Sequence, residues 1–201
     1  MIDANTILSS MTISERRLRH TLGVAEAAKA LAITHFPELD VKMVELAALM
    51  HDYTKEYPIE RHIELCSLFG VELTEDEIQN HKLLHAKTGA MLAKDSFNLP
   101  DDVCSAVYWH TTGKPDMSPF EIVIYLADYI EEFREDSDCV KLREYYKKCM
   151  TKESDRSIAL LKTLVRSFDT TIKHLIAGEK TINENTFAAR NFYIKQLNGK
   201  E

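Results

Sequence analysis

The chain has 201 residues, of which 45% are hydrophobic and 28% charged, and its formal net charge is −7. This length and apolar content suffice for a hydrophobic core and exclude a disordered, collagen-like or low-complexity chain. The acidic balance argues against a nucleic-acid-binding protein, because such proteins normally present a basic face to phosphates.

The first half of the chain has the pattern of amphipathic helices. From Ser14 to Ala32, apolar residues recur every three or four positions, which predicts a helix with one buried face. The residues on this face are Leu18, Leu22, Ala25, Ala28, Leu31 and Ala32. Asp40 is a suitable N-cap for a second helix that continues to Met50. Pro58 fits the first turn of a third helix, which Gly70 closes.

Capping residues also delimit the later helices. Thr74 with Glu77 has the pattern of a capping box for a short helix. Two more helices are expected over 84–97 and 100–110, and Ser118 with Glu121 opens the next. A surface loop over 135–138 and three final helices complete the prediction. Since strand patterns and internal repeats are absent from the body of the sequence, we expect an all-α bundle of about eight to ten helices.

We expect residues 1–201 to form one compact domain, with the C-terminal helices (about 138–198) packed on the rest. No apolar run approaches the ~18 residues of a membrane helix, and the first residues lack the pattern of a signal peptide. Because C-x-x-C pairs are absent, we interpret the cysteines as reduced thiols, mostly in the core. They are Cys66, Cys104, Cys139 and Cys149. The expected location is cytoplasmic.

Histidine is the residue type that suggests chemistry, because several of the eight histidines lie near aspartate or within apolar segments. His51 and Asp52 follow the apolar stretch VELAALM, and both can face one point only near a helix end. His20, His85 and Asp128 interrupt apolar segments, where an unpaired carboxylate is costly to bury. Each residue alone has a structural explanation, such as a hydrogen-bonded core histidine. With His110, they give the order His, His-Asp, His, His, Asp.

This order and its flanking sequences resemble the HD phosphohydrolase superfamily, and within it the bacterial symmetrical bis(5′-nucleosyl)-tetraphosphatases of the YqeK type. The matching stretches are RLRHTLGVAEAAKALA, ALMHDYTKEYP, LLHAKTGAMLA, WHTTGKPDMSPFEIVIYLADYIEEFR and TFAARNFYI. The sequence departs from the family at Glu132-Phe133, where Pro-Gly is expected before Arg134. The resemblance implies a helical HD-type domain that binds one or two divalent metals.

By position, the resemblance implies four ligands for the first metal, which are His20, His51, Asp52 and Asp128. Two imidazoles and two carboxylates suit iron, manganese, cobalt, nickel or zinc better than magnesium, and the family makes iron the first choice. His85 and His110 either hold a second metal, with Asp52 as the bridge, or face the substrate phosphate directly. The sequence leaves both arrangements open.

The implied reaction is the symmetrical hydrolysis of diadenosine tetraphosphate to two ADP. The residues expected to act in catalysis are Asp52, Lys55, His85 and His110. Lys55 is the best candidate for a cation on the phosphate, and His85 or His110 can protonate the leaving phosphate or orient water. Thr111-Thr112 can bind nucleotide oxygens or simply close a helix, and Arg134 can pair with a phosphate.

Other functions remain open on the sequence alone. The same chemistry can serve a mono-, tri- or cyclic nucleotide, and a nucleotide-binding sensor can retain the metal with negligible turnover. A helical interaction module is a further class, but it has no need of Asp128 in an apolar helix. The expected partners are a small-molecule nucleotide and a second copy of the chain in a homodimer, without nucleic acid or membrane.

Overall fold

The structure is a computed structural model that describes residues 2–73, 77–78 and 83–200. In this part of the chain it contains ten α-helices of seven or more residues and no β-strand, which confirms the predicted all-α class. The helices are α1 (Ala4–Ser10), α2 (Glu15–His35), α3 (Val41–Met50), α4 (Ile59–Leu68), α5 (Leu84–Asp95), α6 (Asp101–Trp109), α7 (Pro119–Ile130), α8 (Ser137–Lys152), α9 (Arg156–Ala177) and α10 (Glu184–Asn198).

Several helix ends lie where the capping residues predict them. The Asp40 side chain accepts a hydrogen bond from the Lys42 amide at 2.9 Å, and Ser118 forms a complete capping box with Glu121. Gly70 follows α4 with a φ of 66°, as expected of a glycine that closes a helix. Local capping chemistry therefore sets where α3 and α7 begin and where α4 ends.

Three features differ from the prediction. Helix α8 begins at Ser137, inside the segment expected to be a loop. Helix α1 is not among the predicted helices, because its seven residues are too few to show a helical period. Leu22 is 42% exposed and lies at the edge of the predicted face of α2, whereas Ala25, Ala28, Leu31 and Ala32 are buried as predicted. The proposed capping box of Thr74 lies outside the described residues.

The helices share one cluster of buried apolar side chains, which extends from Ile7 in α1 to Leu197 in α10. Helix α2 packs on α3 and α7, and α9 packs on α8, α10, α7 and α2. The Phe168 ring of α9 stacks on Tyr125 of α7, with 4.8 Å between ring centroids. Among the described helices, none has both the length and the apolarity that crossing a membrane requires.

The turn after α6 requires glycine at Gly113. Its φ is 62°, and an added β-carbon would lie 2.7 Å from the Phe168 ring. We expect Gly113→Ala to lower the free energy of unfolding by about 2–5 kcal/mol, from backbone strain and overpacking together. Denaturant unfolding measures the change. Gly199→Ala is the control, because its β-carbon would come no closer than 3.5 Å to another atom; equal losses in the two variants would contradict the prediction.

Candidate metal centre

Six polar side chains from distant parts of the sequence converge at one place in the fold. They are His20, His51, Asp52, His85, His110 and Asp128. Asp52 lies between the imidazoles: its Oδ2 is 3.6 Å from His20 Nε2 and 3.4 Å from His51 Nε2. Its Oδ1 is 3.1 Å from His85 Nε2 and 3.6 Å from His110 Nε2. Each oxygen of this carboxylate therefore serves a different pair of imidazoles.

Two of these histidines occupy helix ends, as the sequence predicts for the His-Asp pair. His51 is the C-cap of α3 and His110 is the C-cap of α6. The Nδ1 atom of each ring is 2.6 Å from a main-chain carbonyl of the preceding turn, Ala48 or Val107. Since a carbonyl can only accept, Nδ1 carries a proton, and in the neutral ring the lone pair is on Nε2. The final carbonyls of a helix thus orient both rings.

His20 reaches the cluster from the middle of α2. Its Nε2 lies 3.0 Å from Asp128 Oδ1 and 3.3 Å from His51 Nε2, while its Nδ1 lies 3.1 Å from Glu131 Oε1. Asp128 Oδ1 is also 3.9 Å from His51 Nε2. Two imidazole nitrogens and a carboxylate oxygen therefore face the same small space. Such an arrangement of electron pairs is stable when a cation occupies that space.

His85 is placed by the packing of α5 against the ends of α3 and α6. Thr54 Oγ1 donates to the His85 carbonyl at 2.9 Å, and Thr88 Oγ1 lies 2.9 Å from Thr54 Oγ1. At Gly89, an added β-carbon would lie 3.4 Å from the Met50 carbonyl oxygen, so the absence of a side chain permits this approach.

The cluster fits a divalent cation. Within the described part of the chain, buried Asp52 Oδ1 has no hydrogen-bond partner. Two groups have ligand atoms that all lie within 4.8 Å of one another: His20, His51 and Asp52, and Asp52, His85 and His110. Imidazole and carboxylate together suit first-row divalent metals better than the all-oxygen shells that magnesium prefers. A metal ligated here would satisfy an oxygen that accepts no hydrogen bond from the described residues.

Three cluster residues have protonation states that suit metal binding, whereas at His20 the effect of burial is outweighed by the Asp128 and Glu131 carboxylates, which raise its pKa. Burial opposes the ionisation of Asp52, but the imidazoles, His51 first among them, hold the pKa of this carboxyl well below its usual range. Burial opposes the ionisation of Asp128 too, and the Arg134 guanidinium holds that pKa well below its usual range. Burial lowers the pKa of His85 to about 3. Ionised carboxylates and a neutral imidazole are the forms that bind metals.

The two cations predicted from the sequence both lie at the cluster. Lys55 Nζ is 3.0 Å from His85 Nε2 and 3.6 Å from Asp52 Oδ1, and burial lowers its pKa. Arg134 donates to Asp128 Oδ1 at 2.5 Å and to the Asp128 carbonyl at 2.8 Å. Arg134 therefore contacts a proposed metal ligand. From this position its guanidinium can also pair with a phosphate bound at the site.

Sequence reasoning did not single out two further charged residues at the cluster. The Arg17 guanidinium donates to Asp52 Oδ2. Glu131 lies behind the His20 ring. Arg17 had a detectable signal, because it precedes His20 by three residues, which is the spacing of one helix face.

Thr111-Thr112 line a cavity of about 560 Å³ beside the cluster. Ala86 and Lys87, which follow His85, line the same cavity, as does Trp109. The Thr112 hydroxyl donates to the Gly113 carbonyl at 3.0 Å, so it also contributes to the turn that closes α6. The lining of the cavity therefore includes sequence neighbours of His85 and His110, but neither histidine itself.

Comparison with known proteins identifies the fold that carries this cluster. Residues 17–132, more than half of the chain, match the HD domain family. The chain belongs to the HD domain family. The matched segment of this HD domain contains all six residues of the cluster, which confirms the superfamily that the motifs indicated.

Relatives of this HD domain protein share most of its length. It is 35% identical over 182 residues to the symmetrical bis(5′-nucleosyl)-tetraphosphatase of Halalkalibacterium halodurans, with 89% of each chain covered. A protein of the same name from Bacillus subtilis is 31% identical over 185 residues, covering 90% of this chain and 91% of the relative.

A solved structure confirms the fold over nearly the whole chain. The crystal structure of a predicted HD superfamily hydrolase involved in NAD metabolism, from Clostridium acetobutylicum, superposes with a TM-score of 0.85. The two chains are 37% identical, and the match covers 98% of this chain and 99% of the other. The C-terminal helices therefore belong to the shared architecture.

Proposed function

We propose that this protein is a metal-dependent hydrolase that cleaves diadenosine tetraphosphate symmetrically into two ADP molecules. The observation that carries the proposal is the position of Asp52 between two pairs of imidazoles. The relatives named for this activity, 35% and 31% identical over most of the chain, support the substrate. In the reaction, water adds to one central phosphorus atom, and the bridging oxygen leaves with the other ADP.

We assign one metal ion to His20, His51, Asp52 and Asp128. His85 and His110 either share Asp52 with a second ion or contact the substrate phosphate. A divalent cation held here would supply positive charge to phosphoryl oxygens and would lower the pKa of a water molecule towards ~7. Iron is our first choice, because the imidazole nitrogens of the donor set disfavour magnesium and the family resemblance favours iron.

Three cationic side chains at the cluster give the polyphosphate a binding surface. Arg17, Lys55 and Arg134 have side chains that are 25%, 32% and 28% exposed, whereas the His51 side chain is fully buried. The accessible rim of the site therefore carries positive charge, and its floor carries metal ligands. These cations offset the net charge of −7, which otherwise repels a polyphosphate.

We assign the cavity beside His85 and His110 to a nucleoside of the substrate. Its volume of about 560 Å³ is in the range of small-molecule sites. Its lining includes Trp109, which offers an aromatic surface, and Glu72 and Asn183, whose oxygens can accept from ribose hydroxyls or an exocyclic amine. Thr111 and Thr112 then contact the nucleoside end of the substrate.

Hydrolysis of a nucleotide panel tests the function. We expect two ADP for each diadenosine tetraphosphate consumed, with much slower turnover of ATP, AMP and cyclic AMP. AMP plus ATP as products would contradict the symmetrical cut. Tight ADP binding without hydrolysis would instead identify a sensor, and a lack of any nucleotide binding would favour an interaction module.

Three expectations stay predictions at this point: residues 1–201 as one HD-type domain, a homodimeric assembly and a cytoplasmic location. The continuous apolar cluster from Ile7 to Leu197 supports the first of these. Light scattering of the purified protein tests the homodimer directly.

A further inference from the structure

Glu131 is a buried glutamate that has no role in the reaction described above. Its side chain is 1% exposed, and its Oε1 lies 3.1 Å from Nδ1 of His20, on the side of the ring opposite the proposed metal. We propose that Glu131 is a positioning residue that fixes the His20 ring with Nε2 directed at the metal. This inference rests on the metal site of the proposed function.

The position of His20 explains why it needs a side-chain partner. His51 and His110 lie at helix C-caps, where main-chain carbonyls of the last turn are free to accept from Nδ1. His20 lies within α2, where main-chain carbonyls accept from amides four residues later. An acceptor for its Nδ1 must therefore come from another element, and Glu131, at the end of α7, provides it.

Glu131 is held firmly enough to orient a neighbouring ring. Its Oε2 accepts from the Phe133 amide at 2.5 Å, and its main-chain carbonyl accepts from the Arg143 guanidinium. Arg143 also donates to the Arg134 carbonyl at 3.2 Å. The segment that departs from the family at Glu132-Phe133 thus still ties the carboxylate in place, through main-chain atoms.

Gly23 supplies independent support, because it makes room for this carboxylate. A β-carbon at Gly23 would overlap the Glu131 carboxylate and lie 2.8 Å from Phe133 Cδ2. Glycine is unfavourable inside a helix, so its presence in the middle of α2 calls for a steric reason. Gly23 lies three residues after His20 along α2, and the close approach of Glu131 at this point is that reason.

The carboxylate has two effects on the metal ligand. As an acceptor, it keeps the proton of neutral His20 on Nδ1 and leaves the Nε2 lone pair for the metal. As a negative charge, it makes the imidazole a stronger donor. Loss of such a partner typically weakens metal affinity 10–100-fold, and we expect a change of this size for Glu131→Gln.

The test is a Co²⁺ titration of metal-depleted full-length protein, followed by visible d–d absorption. We expect Glu131→Gln to weaken Co²⁺ binding about 10–100-fold and to change the absorption spectrum. The matched control is Glu132→Gln, because Glu132 is exposed and pairs with Arg143 and Lys147 rather than with His20. We expect this control to match the wild type in both measurements.

Unfolding of the metal-free proteins separates positioning from a purely structural role. We expect Glu131→Gln to unfold near the wild-type midpoint, and Gly23→Ala, which displaces the same carboxylate, to change the Co²⁺ spectrum in the same direction. Wild-type Co²⁺ affinity and spectrum in Glu131→Gln would overturn the inference, as would an affinity loss fully explained by unfolding. A wild-type protein that binds Co²⁺ but hydrolyses no dinucleotide would overturn only the proposed function.

Discussion

Replacement of Asp52 by asparagine is expected to lower kcat for diadenosine tetraphosphate by about 10³-fold or more, equivalent to roughly 4 kcal/mol of transition-state stabilisation. The carboxylate offers one oxygen to His20 and His51 and the other to His85 and His110. An amide has one oxygen and one NH₂ group, so one pair of imidazoles would face a donor in place of a metal ligand. We also expect this variant to lose its bound metal.

Steady-state kinetics and elemental analysis of the same preparation test this expectation together. The control is Asp136→Asn, which makes the same substitution on a carboxylate that is 70% exposed and 3.9 Å from Arg134. It should retain wild-type metal content and kcat within about twofold, since exposed ion pairs contribute little. An Asp52→Asn protein that keeps both its metal and its activity would remove the basis for the proposed function.

The cluster could be predicted from the sequence because several of its residues stand out in their local sequence context. Asp128 stands out as a carboxylate within an apolar helix, and His51 and Asp52 stand out because they follow an apolar face at a helix end. Burial of such groups is costly without a partner, so their positions alone suggest that they meet. The family resemblance then supplied the ligand roles of these residues.

The partners of these ligands were not predictable in the same way. Which atom accepts from His20 Nδ1 depends on how α7 ends beside α2, and a helical period carries no information on that contact. Leu22 shows the same limit: spacing placed it on the buried face, but the packing of α2 on α3 and α7 leaves that edge of the face exposed. The contact of Arg17 could have been predicted from the helical period, because Arg17 lies one turn before His20 on the same helix face.

Removal of the metal by a chelator is expected to abolish hydrolysis and to lower the unfolding midpoint by about 10 °C. Without a cation, His20 Nε2 and His51 Nε2 face each other at 3.3 Å, and Asp52 Oδ1 stays buried without a hydrogen bond from any described residue. An ion present at 1,000 times its Kd stabilises a folded protein by about 4 kcal/mol, and each kcal/mol shifts the midpoint of a chain of this size by roughly 2–4 °C.

Thermal unfolding and activity, measured after chelation and after re-addition of single metals, check this prediction and identify the ion. Fe²⁺, Mn²⁺, Co²⁺, Ni²⁺ and Zn²⁺ should each restore part of the midpoint, and Mg²⁺ at equal concentration should restore less, because the site offers imidazole nitrogens. Asp52→Asn is the control, since a protein that cannot hold the metal should show no shift with chelator. Full activity in protein shown to be free of metal would contradict the role assigned to the cluster, because its buried carboxylate and converging imidazoles would then have no cation to bind.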